Sequence, residues 1–395
     1  MNRKSLHLMV ALSLVGGASY AAKERVVRFQ NHVRVGYDDN IYATKDGDGS
    51  AFVTDIVNLS AKLNFSTRTD ALLYWQPEFQ YRVDGDPELI TYQDLYARLN
   101  HAISQQAFLT LSDRFRYQQK EGQVDDVDDF NQNYIENDLL GALEYTLNPV
   151  SYVKVGAGYE FRVWDDSDYG KWDSDNNTGG NDYTQLKGDA SYIRQLKPNK
   201  TQAIGGVNVL SHSYDGDRGG YDSFTFMGGV DQNFTANMTG FGRLGYTFAS
   251  IDGVDGASED SSSPYLEMGM DYNPSARTTF NGTFGYSVYR SQNSSYNMQD
   301  RLSFGLGARH DITAKINIAA TMSYIISMYD AKYTSGVNSV SDFDDSFLSL
   351  TARCSYQVNR NNFVEAGYYF GKRMSDASSA EYDRNRFDVG WRLRL

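Results

Sequence analysis

The sequence predicts an all-β fold: a transmembrane antiparallel up-and-down β-barrel of about 18 strands, with short periplasmic turns and longer extracellular loops. Three observations predict it. An export leader is followed by no apolar run long enough for a membrane helix. Apolar residues then recur at every second position over long stretches. Short and long polar connections alternate along the whole chain.

Composition narrows the classes first. The 395 residues include 30 Tyr, 21 Phe and 35 Gly but only 6 Pro. With a mean hydropathy of −0.54, this mixture suits strands with one apolar and one polar face. The length fits two ordinary domains or one large barrel. A net charge of −13 argues against a nucleic-acid partner, because phosphate binding needs a concentrated basic surface. One cysteine excludes a disulfide framework and a Cys-rich zinc site.

Residues 1–21 read as a signal peptide. Arg3 and Lys4 come first, the apolar run Leu8 to Val15 follows, and Ser19-Tyr20-Ala21 precedes Ala22. That run is too short to span a bilayer, and nothing after Ala22 approaches the ~20 apolar residues a membrane helix needs. Residues 22–395 are therefore expected outside the inner membrane, as a soluble β protein or an outer-membrane barrel.

Period-2 alternation favours the barrel. Val57, Leu59, Ala61, Leu63 and Phe65 alternate with Asn58, Ser60, Lys62, Asn64 and Ser66. Ala71, Leu73, Trp75, Phe79 and Tyr81 then oppose Gln76, Glu78, Gln80 and Arg82. The same period returns in 135–147, 153–163, 280–288, 302–308, 316–328 and 348–358. These segments are roughly twice the ~5–6 residues of a strand in a soluble sandwich.

The connections carry a second regularity. Short ones fall at 67–70, 100–104, 148–150, 197–200, 235–238, 273–277, 311–314 and 358–361. Long polar ones lie between them at 43–51, 84–88, 119–132, 165–182, 211–221, 250–264, 290–297, 329–343 and 372–381. A soluble sandwich has no reason to alternate in this way, whereas a membrane barrel does. Pro77 interrupts a strand and requires a bulge or a ladder gap. Asp113 falls on an apolar face, which places it near an interface or marks a register shift. Residues 202–210 alternate poorly.

The last segment alternates Phe387, Val389, Trp391, Leu393 and Leu395 with Asp388, Gly390, Arg392 and Arg394. The spacing Asp388-x-Gly390-x-x-Leu393-x-Leu395 resembles the C-terminal signal by which outer-membrane proteins engage the barrel assembly machinery, although an aromatic residue is commoner at the final position. This segment must pair with the first strand, around Val27–Tyr37, to leave no edge open in lipid. The stretch Val35-Gly36-Tyr37-Asp38-Asp39-Asn40-Ile41-Tyr42 resembles the Putative β-barrel porin 2 family. The resemblance implies an outer-membrane pore, some members of such a class being associated with polysaccharide export. Trimeric porins often fold one long loop into the lumen, and 165–182 is the expected candidate.

In a pore the polar parity lines the channel. This assigns Arg28, Arg34, Lys62, Glu78, Arg82, Asp94, Arg98, Arg114 and Arg116 to the lumen, joined by Arg392 and Arg394 on closure. Glu136, Asp138, Glu144, Lys154, Glu160, Arg162, Glu267, Asp271 and Glu365 follow further round. Two arrangements are open: opposed basic and acidic walls that impose a transverse field, or charges paired across neighbouring strands.

The long loops are acidic, with Asp125, Asp126, Asp128 and Asp129, and Asp165, Asp166 and Asp168. Asp173-x-Asp175-x-Asn177 has the oxygen spacing that opens a calcium loop, but the glycine and closing Glu of that pattern are missing. Solvated acids sharing divalent ions with lipopolysaccharide phosphates are the plainer reading. Catalytic pairing is not evident. His310 and Ser303 have opposite parities, and His212 is adjacent to Ser211 and Ser213, so their side chains point to opposite faces. No cofactor motif or plug domain is legible, and no outward stripe stands out as an interface, so monomer and homo-oligomer stay open. The expected partners are outer-membrane lipid, lipopolysaccharide and the assembly machinery.

The sequence thus reads as a non-enzymatic outer-membrane porin passing small hydrophilic solutes by diffusion. Its alternatives are a polysaccharide export channel and a closed barrel used for adhesion or scaffolding.

Overall fold

The computed structural model describes residues 24–85, 88–119, 133–165, 182–215, 219–252, 258–290, 298–329, 343–376 and 380–395. Eighteen antiparallel strands form one sheet. They are β1 (Glu24–Asp38), β2 (Ser50–Ser66), β3 (Thr69–Arg82), β4 (Leu89–Ala102), β5 (Ala107–Gln119), β6 (Asn133–Asn148), β7 (Ser151–Trp164), β8 (Tyr183–Lys197) and β9 (Thr201–Tyr214). β10 (Gly220–Thr235), β11 (Met238–Asp252), β12 (Ser258–Ser275), β13 (Thr278–Arg290), β14 (Met298–Asp311), β15 (Ile316–Tyr329), β16 (Phe343–Gln357), β17 (Asn362–Ser375) and β18 (Tyr382–Arg394) complete it. Each strand pairs with its neighbours in sequence. β18 returns to β1 with Gln30 opposite Arg394 and Asp38 opposite Arg386, closing the barrel. Closure removes the edge whose unpaired amides and carbonyls hydrocarbon cannot solvate.

Parity is kept through most of the barrel; at the outer end of β13, beyond its ladder with β12, Val288 packs instead with the inward Tyr221 and Ile251. Val27, Val33, Val35 and Tyr37 point outward, each more than a third exposed, while His32 and Asp38 on the other parity are buried. Outward positions therefore carry the apolar surface, and inward positions carry the polar residues. The strands run 13 to 18 residues, longer than the sequence suggested at their outer ends. Serine-rich residues 258–263 read as loop because neither parity is apolar. In the structure they extend β12 to where no apolar face is required.

The short connections match the expected turns, and several contain a register shift, as at Asn64/Ser66 and Gln195/Lys197. Asn199 takes a left-handed conformation, φ 55°, which an asparagine tolerates in such a turn. Pro77 sits at a ladder gap: β2 and β3 pair Ile56 with Glu78 and Leu59 with Trp75 but skip the two pairs between. On its other side Pro77 stays in register opposite Gln93 of β4. Asp113 is neither near a strand end nor at a register shift. Both ladders of β5 are continuous, and Asp113 accepts a hydrogen bond from Asn137 Nδ2 at 2.6 Å in mid-strand. Residues 202–210 are regular strand despite their weak alternation.

Candidate functional site: the inner wall of the barrel

The inward charges pair along the wall, between neighbouring strands. Asp94 on β4, 3 % exposed, takes a bidentate contact from Arg114 on β5 at 2.9 and 2.6 Å. One strand further, the buried Glu136 carboxylate receives Arg116 from β5 and Arg162 from β7, the latter at 2.7 Å. Arg162 also lies over the Tyr134 and Tyr183 rings, 4.4 and 5.3 Å from their centroids. Lys187 on β8 bridges Glu160 at 2.5 Å and Asp138 at 3.1 Å, and the Tyr183 hydroxyl donates to Glu160 at 2.7 Å. Charge-assisted and bidentate contacts of this kind fix side chains firmly.

A second network spans the closing seam. Glu365 on β17 meets Arg392 at 2.8 Å and the His32 Nε2 at 3.3 Å. Arg353 on β16 holds Asp388 through two contacts of 2.9 and 3.0 Å. The Arg34 guanidinium lies against the His32 ring, its Nη2 2.9 Å from Nδ1. Gly390 makes room for this packing, because a Cβ there would stand 2.7 Å from the Val33 carbonyl and 2.9 Å from Arg34 Cγ. Asp388 and Gly390, picked out in the sequence for assembly, thus also have structural contacts in the closing strand. Leu393 faces outward, and the Leu395 amide bonds the Phe29 carbonyl at 2.8 Å.

The remaining sequence-selected residues fall elsewhere on this wall. Arg82 is buried near the loop end, 2 % exposed. Lys62, Arg98, Glu267 and Asp271 are exposed on the inward parity, Glu267 accepting from the Tyr265 hydroxyl at 2.9 Å. Arg28 and Arg394 meet at the turn end of the barrel. There they join Arg277, Arg309, Lys315 and Arg360 around a cavity of about 780 Å³, with Asp311, Asn317, Asn361 and Phe363 also in its lining. Asp173, Asp175 and Asn177, and the leader 1–21, lie outside the described residues. Among the described residues no cluster of three or more His, Cys, Asp or Glu is placed to hold a metal.

The first long connection, residues 39–49, folds against the inner wall. Ala43 packs with Phe347 and Tyr382, inward residues of β16 and β18. Ala43 and Ile41 are both 2 % exposed. Asn40 Nδ2 donates to the Asp383 carbonyl at 2.8 Å and to the Thr44 carbonyl at 2.7 Å. Asp39 accepts from the Asn385 backbone at 2.6 Å and side chain at 2.8 Å. The expected inward loop, 165–182, is largely outside the described residues, and the connection found against the wall is a different one. The apolar pair Ile41 and Ala43 within a polar loop was the available signal.

Comparison with known proteins agrees with this geometry. Residues 205–395 match the family model described as Putative beta-barrel porin 2. Over those residues the chain is similar to that porin family. The strands outside the match belong to the same closed sheet. No curated protein sequence matches the chain. Among solved structures, Pseudomonas aeruginosa OccK2 (OpdF) in complex with glucuronate aligns with TM-score 0.52 at 10 % identity, over 95 % of this chain and 99 % of that one. A BenF-like porin from Pseudomonas fluorescens Pf-5 gives 0.51 at 12 %, over 95 % and 100 %. Acinetobacter baumannii OccAB4 gives 0.51 at 9 %, over 95 % and 99 %. At such identities the likeness is one of fold: the chain has the architecture of a bacterial outer-membrane porin.

Several wall residues escaped the sequence reading. Arg353, Lys187, Arg373 and Arg384 each neutralise a carboxylate on another strand. Parity places them inward, but only the register brings them to their partners.

Proposed function

We propose that this porin barrel passes small hydrophilic solutes by passive diffusion and carries no catalytic activity. The observation that carries this reading is the lateral pairing of charge. Arginines and carboxylates are ion-paired with neighbours on the wall, as with Arg114 and Asp94 or Arg116, Glu136 and Arg162. They make a polar lining in mid-wall, and the buried apolar clusters lie toward the loop end, around Ile251 and around Ala43. An 18-strand barrel of this kind leaves an aqueous channel. The exposed inward charges Arg28, Lys62, Arg98, Glu267, Asp271 and Arg394 face that water. His212 packs against the Tyr183 and Tyr214 rings, at 4.4 and 4.5 Å, and Ser211 and Ser213 lie on the other parity, so they form no dyad with it.

Proteoliposomes containing the refolded chain test this reading. Swelling in sugars of small size, declining as the sugar grows, is the expected result. No swelling in any sugar contradicts it.

One observation favours the export reading as a second possibility. The cations Arg28, Arg277, Arg309, Lys315, Arg360 and Arg394 gather at the turn end, while the long connections at the other end are rich in Asp and Glu. Such a charge gradient would collect anionic polymer from the periplasmic side and repel it outside. Block of ion current by an acidic oligosaccharide added on the turn side alone would support export.

A further inference from the structure

The outward face of β1–β6 carries a polar stripe that the rest of the barrel lacks. Asn31 on β1 lies between Phe29 and Val33 of the same parity, and Asp55 on β2 between Val53 and Val57. Gln93 on β4 precedes Leu95, Asp113 on β5 lies between Leu111 and Phe115, and Asn137 on β6 lies between Ile135 and Leu139. Four of the five therefore have apolar residues on both sides along the strand, which sets them at the height of the hydrocarbon band. Asn31 Nδ2 donates to Asp55 at 2.5 Å, and Asn137 Nδ2 donates to Asp113 at 2.6 Å. Elsewhere on this face, among the described residues, charged side chains such as Arg194, Asp222 and Lys372 sit at most three residues from a strand end. There they can reach interfacial water.

A carboxylate offers about four acceptor sites, and one amide fills one of them. Hydrocarbon offers no donor for the rest, so a charged group at this depth is unfavourable against lipid. We propose that the stripe is a subunit interface, at which a second copy of this chain covers β1–β6. The second copy is the occupant the chemistry fits. The stripe presents amide donors (Asn31, Gln93) and carboxylate acceptors (Asp55, Asp113) side by side, so it is complementary to itself; Asn137 spends both its N–H groups on Asp113 and the Arg114 carbonyl. Related by a symmetry axis, the donors of one copy can reach the acceptors of another, as closed homo-oligomers require. A lipid acyl surface supplies neither donors nor acceptors. The stripe escapes a reading of hydropathy alone, because single polar residues on successive strands come together only through the register.

Native mass spectrometry of the folded chain in mild detergent tests this. The expected result is a species of two or more barrels. Replacing both carboxylates, Asp55→Leu with Asp113→Leu, should preserve heat-modifiable folding and cause loss of the multi-barrel species. A wild-type mass of one barrel overturns the proposal, whether that barrel is bare, lipid-bound or carrying another polypeptide. So does a multi-barrel species that survives unchanged in a folded double variant.

Discussion

Asp38 and Arg384 form a bidentate ion pair in which both side chains are 2 % exposed, joining the end of the first strand to the start of the last. Arg384 Nε stands 3.0 Å from each carboxylate oxygen and Nη2 2.5 Å from Oδ2. Next to it, Arg373 holds Asp345 at 2.6 Å. Arg386 reaches across to Gln80 on β3, also at 2.6 Å. The seam between the two ends of the chain is therefore clamped by side chains as well as by its ladder.

Removing one half of the buried pair should be costly, because the remaining charge keeps its desolvation without its counter-ion. Asp38→Leu is expected to destabilise the folded barrel by about 3–5 kcal/mol. The double variant Asp38→Leu, Arg384→Met should lose less than the two single changes summed. Denaturant unfolding from lipid vesicles, followed by heat-modifiable migration, measures both.

Asn40 fastens the inward connection by binding the Asp383 and Thr44 carbonyls. Asn40→Ala is expected to free residues 39–49 from the wall of β16–β18. The consequence should be a larger or noisier open-state current with the barrel's stability little changed. An unchanged current would show that this connection lies clear of the conducting path.

Gly36 shows why the motif around Asp38 tolerates little change. A Cβ at this position would lie 2.1 Å from the Phe387 carbonyl and 2.5 Å from the Phe52 ring. That ring lies beneath the Arg386 guanidinium, 4.0 Å away. Gly36→Val should displace Phe52 and lower the yield of folded barrel, whereas the same change at Gly205, where no atom lies within 4 Å, should be well tolerated. Refolding yields of the two variants give the comparison.

Charge at the turn end should govern ion preference more than charge in mid-wall. Arg277→Gln with Lys315→Gln and Arg360→Gln is expected to move the reversal potential in a salt gradient toward cation preference. Arg98→Gln should act in the same direction. Arg114→Gln should move it less, because Asp94 already neutralises Arg114, and should instead cost stability. Equal shifts from all of these would mean that the paired wall charges are as visible to ions as the unpaired ones.

Strand identity was legible because the membrane imposes a period of two and needs long segments; the alternation from Val57 to Phe65 is sufficient to place β2. Pro77 also announced its ladder gap. Partner choice was not legible. Lys187 meets Glu160 only because Glu160 faces Gln185 in the β7–β8 register, and Arg353 meets Asp388 across β17, two strands away in the sheet. Parity gives the face of a residue, and only the register gives its neighbours. For the same reason Asp113 looked like an anomaly on its own strand, and the structure resolves it as half of a pair with Asn137. The fold of residues 39–49 was hidden because its anchors, Phe347, Tyr382 and Asp383, lie at the other end of the chain.

Single-channel conductance of the refolded chain in a planar bilayer tests the central claim most directly. An open diffusion pore predicts steady ohmic steps that shrink when hydrophilic polymers small enough to enter are added. A bilayer that stays silent, with folding demonstrated by heat-modifiable migration, would contradict it.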